Sequence, residues 1–275
     1  MASRDLDRLR QALLLVLSTP AKPGATHRLR LDTIFETRIS EIVVLFNYME
    51  QAYEKGRQLG MGDIDAKSLG IGKQFSEALR DSFDFTGRKP LPGIVYSAIL
   101  ASVAAGYSSV TGKDIIVEAG RLARIVPYSS DVEDAVGLLE GLESIGLSDY
   151  ILHLDKAGIT KRSIRLNSLS VGDIAERLFD IDTGFAFNVR HFSILKHACS
   201  EVSRSVNLLE ASIRAFYIMG LERGVFGKIA HDKILEYFIK LDKKDYKNSY
   251  DNDKLLGGAY LTVALVHLRK PLPLP

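Results

Sequence analysis

A single cysteine in 275 residues, Cys199, excludes an internal disulfide. It points to a reducing compartment, and its place in an apolar helical pattern predicts a buried, inert thiol rather than a nucleophile. An excess of one charge is also missing. Lys and Arg number 36 against 34 Asp and Glu, a net of +2, too little for the basic footprint that non-specific nucleic-acid binding requires. The longest apolar run, Gly93 to Tyr107, falls short of a membrane span and carries Ser97 and Ser102. No nucleic acid and no membrane are expected as partners. The first helical stretch is punctuated by charges up to Arg10 and lacks a small-residue cleavage site, so no signal peptide is expected and the chain should be cytoplasmic. Neither an internal repeat nor a low-complexity segment is visible.

The common catalytic signatures are absent as well. The sequence has no Walker loop, no strand-led Gly-x-Gly-x-x-Gly, no His-Glu-x-x-His, no paired Cys-x-x-Cys and no Gly-x-Ser-x-Gly. His191 and His197 are six apart, on different faces of a helix, and His153, His231 and His267 stand alone. Asp180 and Asp182 read as cap residues rather than a metal pair.

What the sequence does have is helical periodicity. Leu6, Leu9, Leu13 and Leu17 predict a helix over Asp5 to Ser18, closed by Pro20. Thr33 and Glu36 form a Thr-x-x-Glu capping box ahead of a helix to Arg57, with Ile39, Ile42, Val43, Phe46 and Tyr53 on its apolar face. Further helices are predicted at Ile71–Phe83, at Ile94–Tyr107, which is apolar on nearly every side and so central, and at Thr111–Val126. Ser130 and Glu133 suggest a second capping box before a helix to Ile145. The stretch from Leu147 to Val171 has no clear period. Then come Asp173–Phe179, Phe187–Ser203, Asn207–Arg223, Ile229–Lys240 and Lys254–Arg269, followed by an extended tail, 270–275, that its prolines bar from helix. No composition break divides the chain. The expectation is all-α: a single bundle-like domain, residues 1–275, of roughly ten helices.

Between the first two helices lies Ala21-Lys22-Pro23-Gly24-Ala25-Thr26-His27-Arg28. Pro23 stiffens it, Gly24 allows a turn or a close approach, and Lys22, His27 and Arg28 are three basic side chains on one short loop. Lys supplies a point charge and Arg a planar fork, so the loop is a candidate phosphate site; the simpler reading is a helix connector with solvated charges. A second punctuated loop, Thr86 to Gly93, carries Arg88 and Lys89. That pair gains interest only if the fold brings it beside the first loop.

The order of these features resembles the triphosphoribosyl-dephospho-CoA synthases and their archaeal homologues, which are all-α. Those proteins share an early Pro/Lys-Pro-Gly-x-x-His/Asp-Arg segment, matched by Lys22 to Arg28, and the archaeal branch an Asp-Thr-x-Phe-Glu run, matched by Asp32 to Glu36. The alanine-rich helix, a Gly-Phe opening at Gly184-Phe185 with Val189-Arg190 after it, and a closing helix at Ala259 to Leu265 complete the likeness. Two places depart from it. The family's Asn-Thr-x-x-Gly loop is Pro90-Leu91-Pro92-Gly93-Ile94 here. Its Asn-Pro-Gly and Ala-Asp-Leu are replaced by Asp251-Asn252-Asp253 and by Tyr260 at the Asp position.

The resemblance implies a transferase that joins the triphosphoribosyl group of ATP to dephospho-CoA or a related acceptor with loss of adenine. Lys22, Gly24, His27, Arg28, Arg88, Lys89 and Arg190 would bind nucleotide and phosphate. Asp32 and Glu36 would hold a metal such as Mg2+, their alternative role being helix capping. ATP enters as a substrate, no tightly bound cofactor is expected, and a homodimer is compatible with the reading. The lost polar motifs raise the alternative of a catalytically inactive homologue that binds a nucleotide or a protein.

Overall fold

The computed structural model describes residues 4–29, 34–244 and 250–275. They form α1 (Arg4–Ser18), α2 (Ile34–Met61), α3 (Ile71–Thr86), α4 (Pro92–Thr111), α5 (Ile115–Ile125), α6 (Val132–Ser144), α7 (Ser148–Lys156), α8 (Lys161–Asn167), α9 (Val171–Leu178), α10 (Phe192–Val202), α11 (Leu208–Glu222), α12 (Ile234–Lys244) and α13 (Leu256–Arg269). Short 3-10 turns occupy Lys67–Leu69, Thr183–Ala186, His231–Lys233 and Tyr250–Leu255. No strand occurs among the described residues. The fold is all-α, as the periodicity predicts.

α4 is the centre. Every residue from Pro92 to Tyr107 is buried, because α1, α2, α3, α5, α13 and the turn at 183–186 all pack on it. Helix α4 runs past the apolar stretch to Thr111. By length and composition it could therefore cross a membrane, although 83% of its most apolar window is covered by the rest of the fold. α2 lies closest to it. A Cβ added at Gly106 would stand 1.9 Å from the carbonyl oxygen of Tyr53, and one at Gly56 would stand 2.2 Å from that of Val103. Small residues thus let the two backbones touch, as the alanine-rich sequence suggests.

Several local expectations are corrected. The inward stripe of α2 is Glu41, Ile42, Leu45, Tyr48, Met49, Ala52 and Tyr53, while Val43 is 59% exposed and Phe46 is half-buried beneath the Arg10 guanidinium. α6 is capped by Asp131, whose carboxylate accepts from the Asp134 amide; the Ser130 hydroxyl donates to Pro127 O and accepts from the Val171 amide. The stretch without a clear period is two short helices, α7 and α8, the latter opened by a Thr160–Ser163 capping box. Thr33 of the predicted first box lies outside the described residues. Cys199 is buried, and burial pushes its thiol up to about 12, so it is inert as expected. The tail is extended and packed: Leu272 is buried, the Leu272 amide donates to His267 Nδ1 at 2.9 Å, and Pro273 O accepts from the Leu208 amide at 3.0 Å.

Candidate functional site

Stretches far apart in the sequence meet at the N-terminal end of α4. Gly93 opens the helix there, and its amide donates to Asp182 Oδ2 at 3.0 Å. Asp182 Oδ1 accepts from the Gly184 amide at 2.9 Å, and Oδ2 also accepts from the Tyr150 hydroxyl at 2.7 Å. A carboxylate is favourable at a helix N-terminus, but full burial dominates and lifts Asp182 to about 6. Gly184 and Gly257 then close on Gly93: a Cβ on Gly257 would lie 2.6 Å from the Gly93 carbonyl carbon and 2.7 Å from Gly184 Cα. Phe185, next to Gly184, packs against Tyr96 of α4 with ring centroids 4.8 Å apart. The Gly-Phe pair is therefore a packing device.

The first loop is bound to the stretch before α13. The Thr26 amide and hydroxyl donate to the two oxygens of Asp253, at 2.6 and 2.8 Å. Asn252 Nδ2 donates to Pro23 O at 2.7 Å, and its amide to Gly24 O at 3.3 Å. Gly24 has φ +70°, so the sequence reading of a turn there holds, and Ala21 is also left-handed at φ +60°. Asp253 is buried, which raises its carboxyl against the pull of Arg38 and of the Thr26 donors.

Arg38 ties the loops together. Its Nη1 donates to both oxygens of Glu41, at 2.7 and 2.9 Å, and to Lys89 O at 2.9 Å, while Nη2 lies 4.0 Å from Asp253 Oδ2. Burial pushes Glu41 up to about 7, outweighing Arg38. Arg38, Glu41 and Ser82 line a cavity of about 10 Å³, enough for about one water. Beside Tyr150, Lys254 Nζ stands 3.5 Å from Asp149 and 5.4 Å from the Tyr150 ring centre.

The predicted site residues fare unevenly. Lys22 is fully buried and its ammonium donates to Val16 O; His27 is buried, its Nδ1 accepting from the Leu29 amide at 3.3 Å. Neither projects from the loop, because the loop folds inward onto α1 and Asp253. Arg28 is exposed. Arg88 is exposed too, and Lys89 reaches Gly146 O with its amine while its carbonyl joins Arg38. Arg190 is exposed beside Val189, whose amide donates to Tyr128 Oη. Glu36 is exposed in the first turn of α2, and Asp32 lies outside the described residues. Among the described residues no His, Cys, Asp or Glu group has a metal-binding arrangement. Tyr260 is fully buried. Arg38, Glu41 and Tyr150 were not singled out by sequence; half-buried Arg38 stands three residues before Glu41, which opens the true inward stripe, a signal hidden by the apolar residues beside them. No family model, no curated protein and no solved structure matches this chain.

Proposed function

We propose that the chain is a divergent relative of the triphosphoribosyl-dephospho-CoA synthases, holding a nucleotide polyphosphate at the junction before α4 and transferring its triphosphoribosyl group to dephospho-CoA or a related acceptor. The supporting observation is convergence. The Lys22–Arg28 loop, the Pro90–Gly93 loop, Gly184-Phe185 and Asn252–Asp253, which carry the resemblance or mark its departures, meet around one buried set of carboxyls and cations. Buried carboxyls with raised protonation ranges beside an arginine are typical of binding sites. In the family's chemistry, cations neutralise the polyphosphate while positive charge develops at ribose C1. Arg38 is the arginine whose contacts tie it to this junction. The setting is the cytoplasm, with Mg2+ arriving with the nucleotide.

A second reading, an inactive homologue that binds a nucleotide or a protein, is favoured by two placements. The Lys22 ammonium is bound to a backbone carbonyl inside the fold, and Tyr260, at the position of a family Asp, has its hydroxyl buried without a hydrogen-bond partner. Calorimetric titration with ATP, with and without Mg2+, then dephospho-CoA, separates them when combined with an assay for released adenine. Saturable binding with adenine release is the expected result. Binding without release selects the second reading, and no binding of either compound overturns the nucleotide role.

A further inference from the structure

A cavity of about 280 Å³ lies where α10 and α11 meet the 225–229 connection and the start of α12, and it shares no residue with the junction before α4. Aromatic packing holds the space open. The Tyr217 ring stacks on Phe226 at 6.5 Å and meets Phe238 at 5.7 Å, and Phe226 and Phe238 stand 4.9 Å apart. The Tyr217 hydroxyl accepts from the Ile229 amide at 2.8 Å and donates to Gly227 O at 3.4 Å, which pins the connection to α11. Tyr217, Ile218, Leu221, Ile229 and Ile234 form the apolar wall. Arg214 is its polar anchor. It is 8% exposed, and its Nε and Nη2 both lie 2.6 Å from Glu210 Oε1. Glu210 is fixed in turn: its Oε2 accepts from the Val206 amide at 3.0 Å, and its own amide donates to Asn207 Oδ1 at 2.9 Å. The guanidinium is therefore positioned before any ligand arrives.

We propose that this cavity binds an aliphatic monocarboxylate, its carboxylate between Arg214 and Lys228 and its chain over Ile218, Leu221, Ile229 and Ile234. The size is at the lower end of small-molecule sites, roughly 300–1,000 Å³, and a mostly apolar wall with a few convergent polar groups is their usual make-up. The charges decide the sign of the ligand. Arg214 is matched by Glu210, and Glu201 on the cavity wall has Arg204 3.4 Å away. Asp232 and Lys233, just before Ile234, offset each other. Lys228 is exposed at the mouth and has no ion pair or hydrogen bond among the described residues. One surplus positive charge suits a monoanion. Glu201 opposes a second negative charge, which disfavours phosphates and dicarboxylates, while an alkylammonium would leave Lys228 unmatched. The hydrocarbon chain gains by leaving water. This inference is independent of the nucleotide reading.

The test is calorimetric titration of the full chain with octanoate, octanol, octylamine and the dicarboxylate suberate. It compares wild type, Lys228→Gln, Ile229→Asn and the double variant Glu210→Gln/Arg214→Gln, with circular dichroism to verify folding. Octanoate is expected to bind wild type saturably at one site, roughly tenfold or more tighter than the other three compounds. Lys228→Gln, a change at an exposed position, should weaken octanoate by up to about fivefold and leave octanol unchanged. Ile229→Asn should weaken octanoate and octanol alike, because it shortens the apolar wall. The double variant removes opposite charges together and should lose roughly tenfold or more for octanoate. Absence of saturable octanoate binding to wild type overturns the proposal, as does octanoate binding no tighter than octanol, octylamine or suberate. Octanoate affinity unchanged in both Lys228→Gln and Ile229→Asn puts the acid elsewhere on the chain and overturns it equally.

Discussion

Glu41, Asp182 and His267 are each buried, and the direction of each shift sets what pH does to the fold. For Glu41 the folded value of about 7 lies above the ordinary 4.5. Between those values the folded chain holds a proton that the unfolded chain releases. Its contribution is therefore full below about 4.5 and is lost as pH rises through about 7. Asp182 follows the same sign over a narrower window, up to about 6. His267 runs the other way. Burial lowers it from 6.5 to about 4, so its contribution is present above 6.5 and is lost as pH falls through about 4. Because these oppose one another, the informative quantity is a difference. Urea unfolding at pH 5 to 8 is expected to show wild type losing stability relative to Glu41→Gln as pH rises, on the order of 2 kcal/mol across the window. A difference that is flat or rises with pH contradicts the assignment.

At the level of helices, the meeting of α2 and α4 sets the geometry of everything around it. Gly106→Ala puts a methyl onto the Tyr53 carbonyl, a backbone atom that cannot swing away, and is expected to destabilise by about 2–4 kcal/mol. Gly137→Ala in α6 is the contrasting case. Its nearest neighbour would be the Lys73 amide nitrogen at 3.7 Å, an ordinary contact, so the better helix former should be neutral or gain up to about 1 kcal/mol. Thermal or urea unfolding of the two variants checks both signs. Elements of this kind were legible: leucine spacing gave α1, and the small apolar run gave α4. The rotation of α2 was not. Counting apolar residues places Val43 inward, whereas the actual stripe carries Glu41 because Arg38 must reach Lys89 O and Asp253, partners 51 and 215 residues away. Lys22 misled for a related reason. A lysine on a Pro-Gly loop reads as solvated, whereas Lys22 folds inward, where its ammonium donates to the carbonyl of Val16 near the end of α1 and acts on the Asp253 carboxyl.

Across the whole molecule the buried residues form one continuous core from Leu6 to Leu272. Calorimetric unfolding is expected to give a single transition, with equal calorimetric and van't Hoff enthalpies. Residues 270–275 belong to that unit. Removing them exposes the Leu272 site and strips the acceptor from the first amide of α11, and should lower stability by about 2–4 kcal/mol, read as a lower midpoint in urea.

The bonds from Thr26 to Asp253 span 227 residues, and this has a consequence in time. Loop closure over that distance is slow relative to helix formation. During synthesis, α1 to α12 emerge before Asp253 does, so the first loop waits until Asp253 has been made with its Thr26 donors unmatched. The two loops are therefore completed together and in a single event. A substitution at Asp253 should show itself first in how much protein folds and only second in what the folded protein binds.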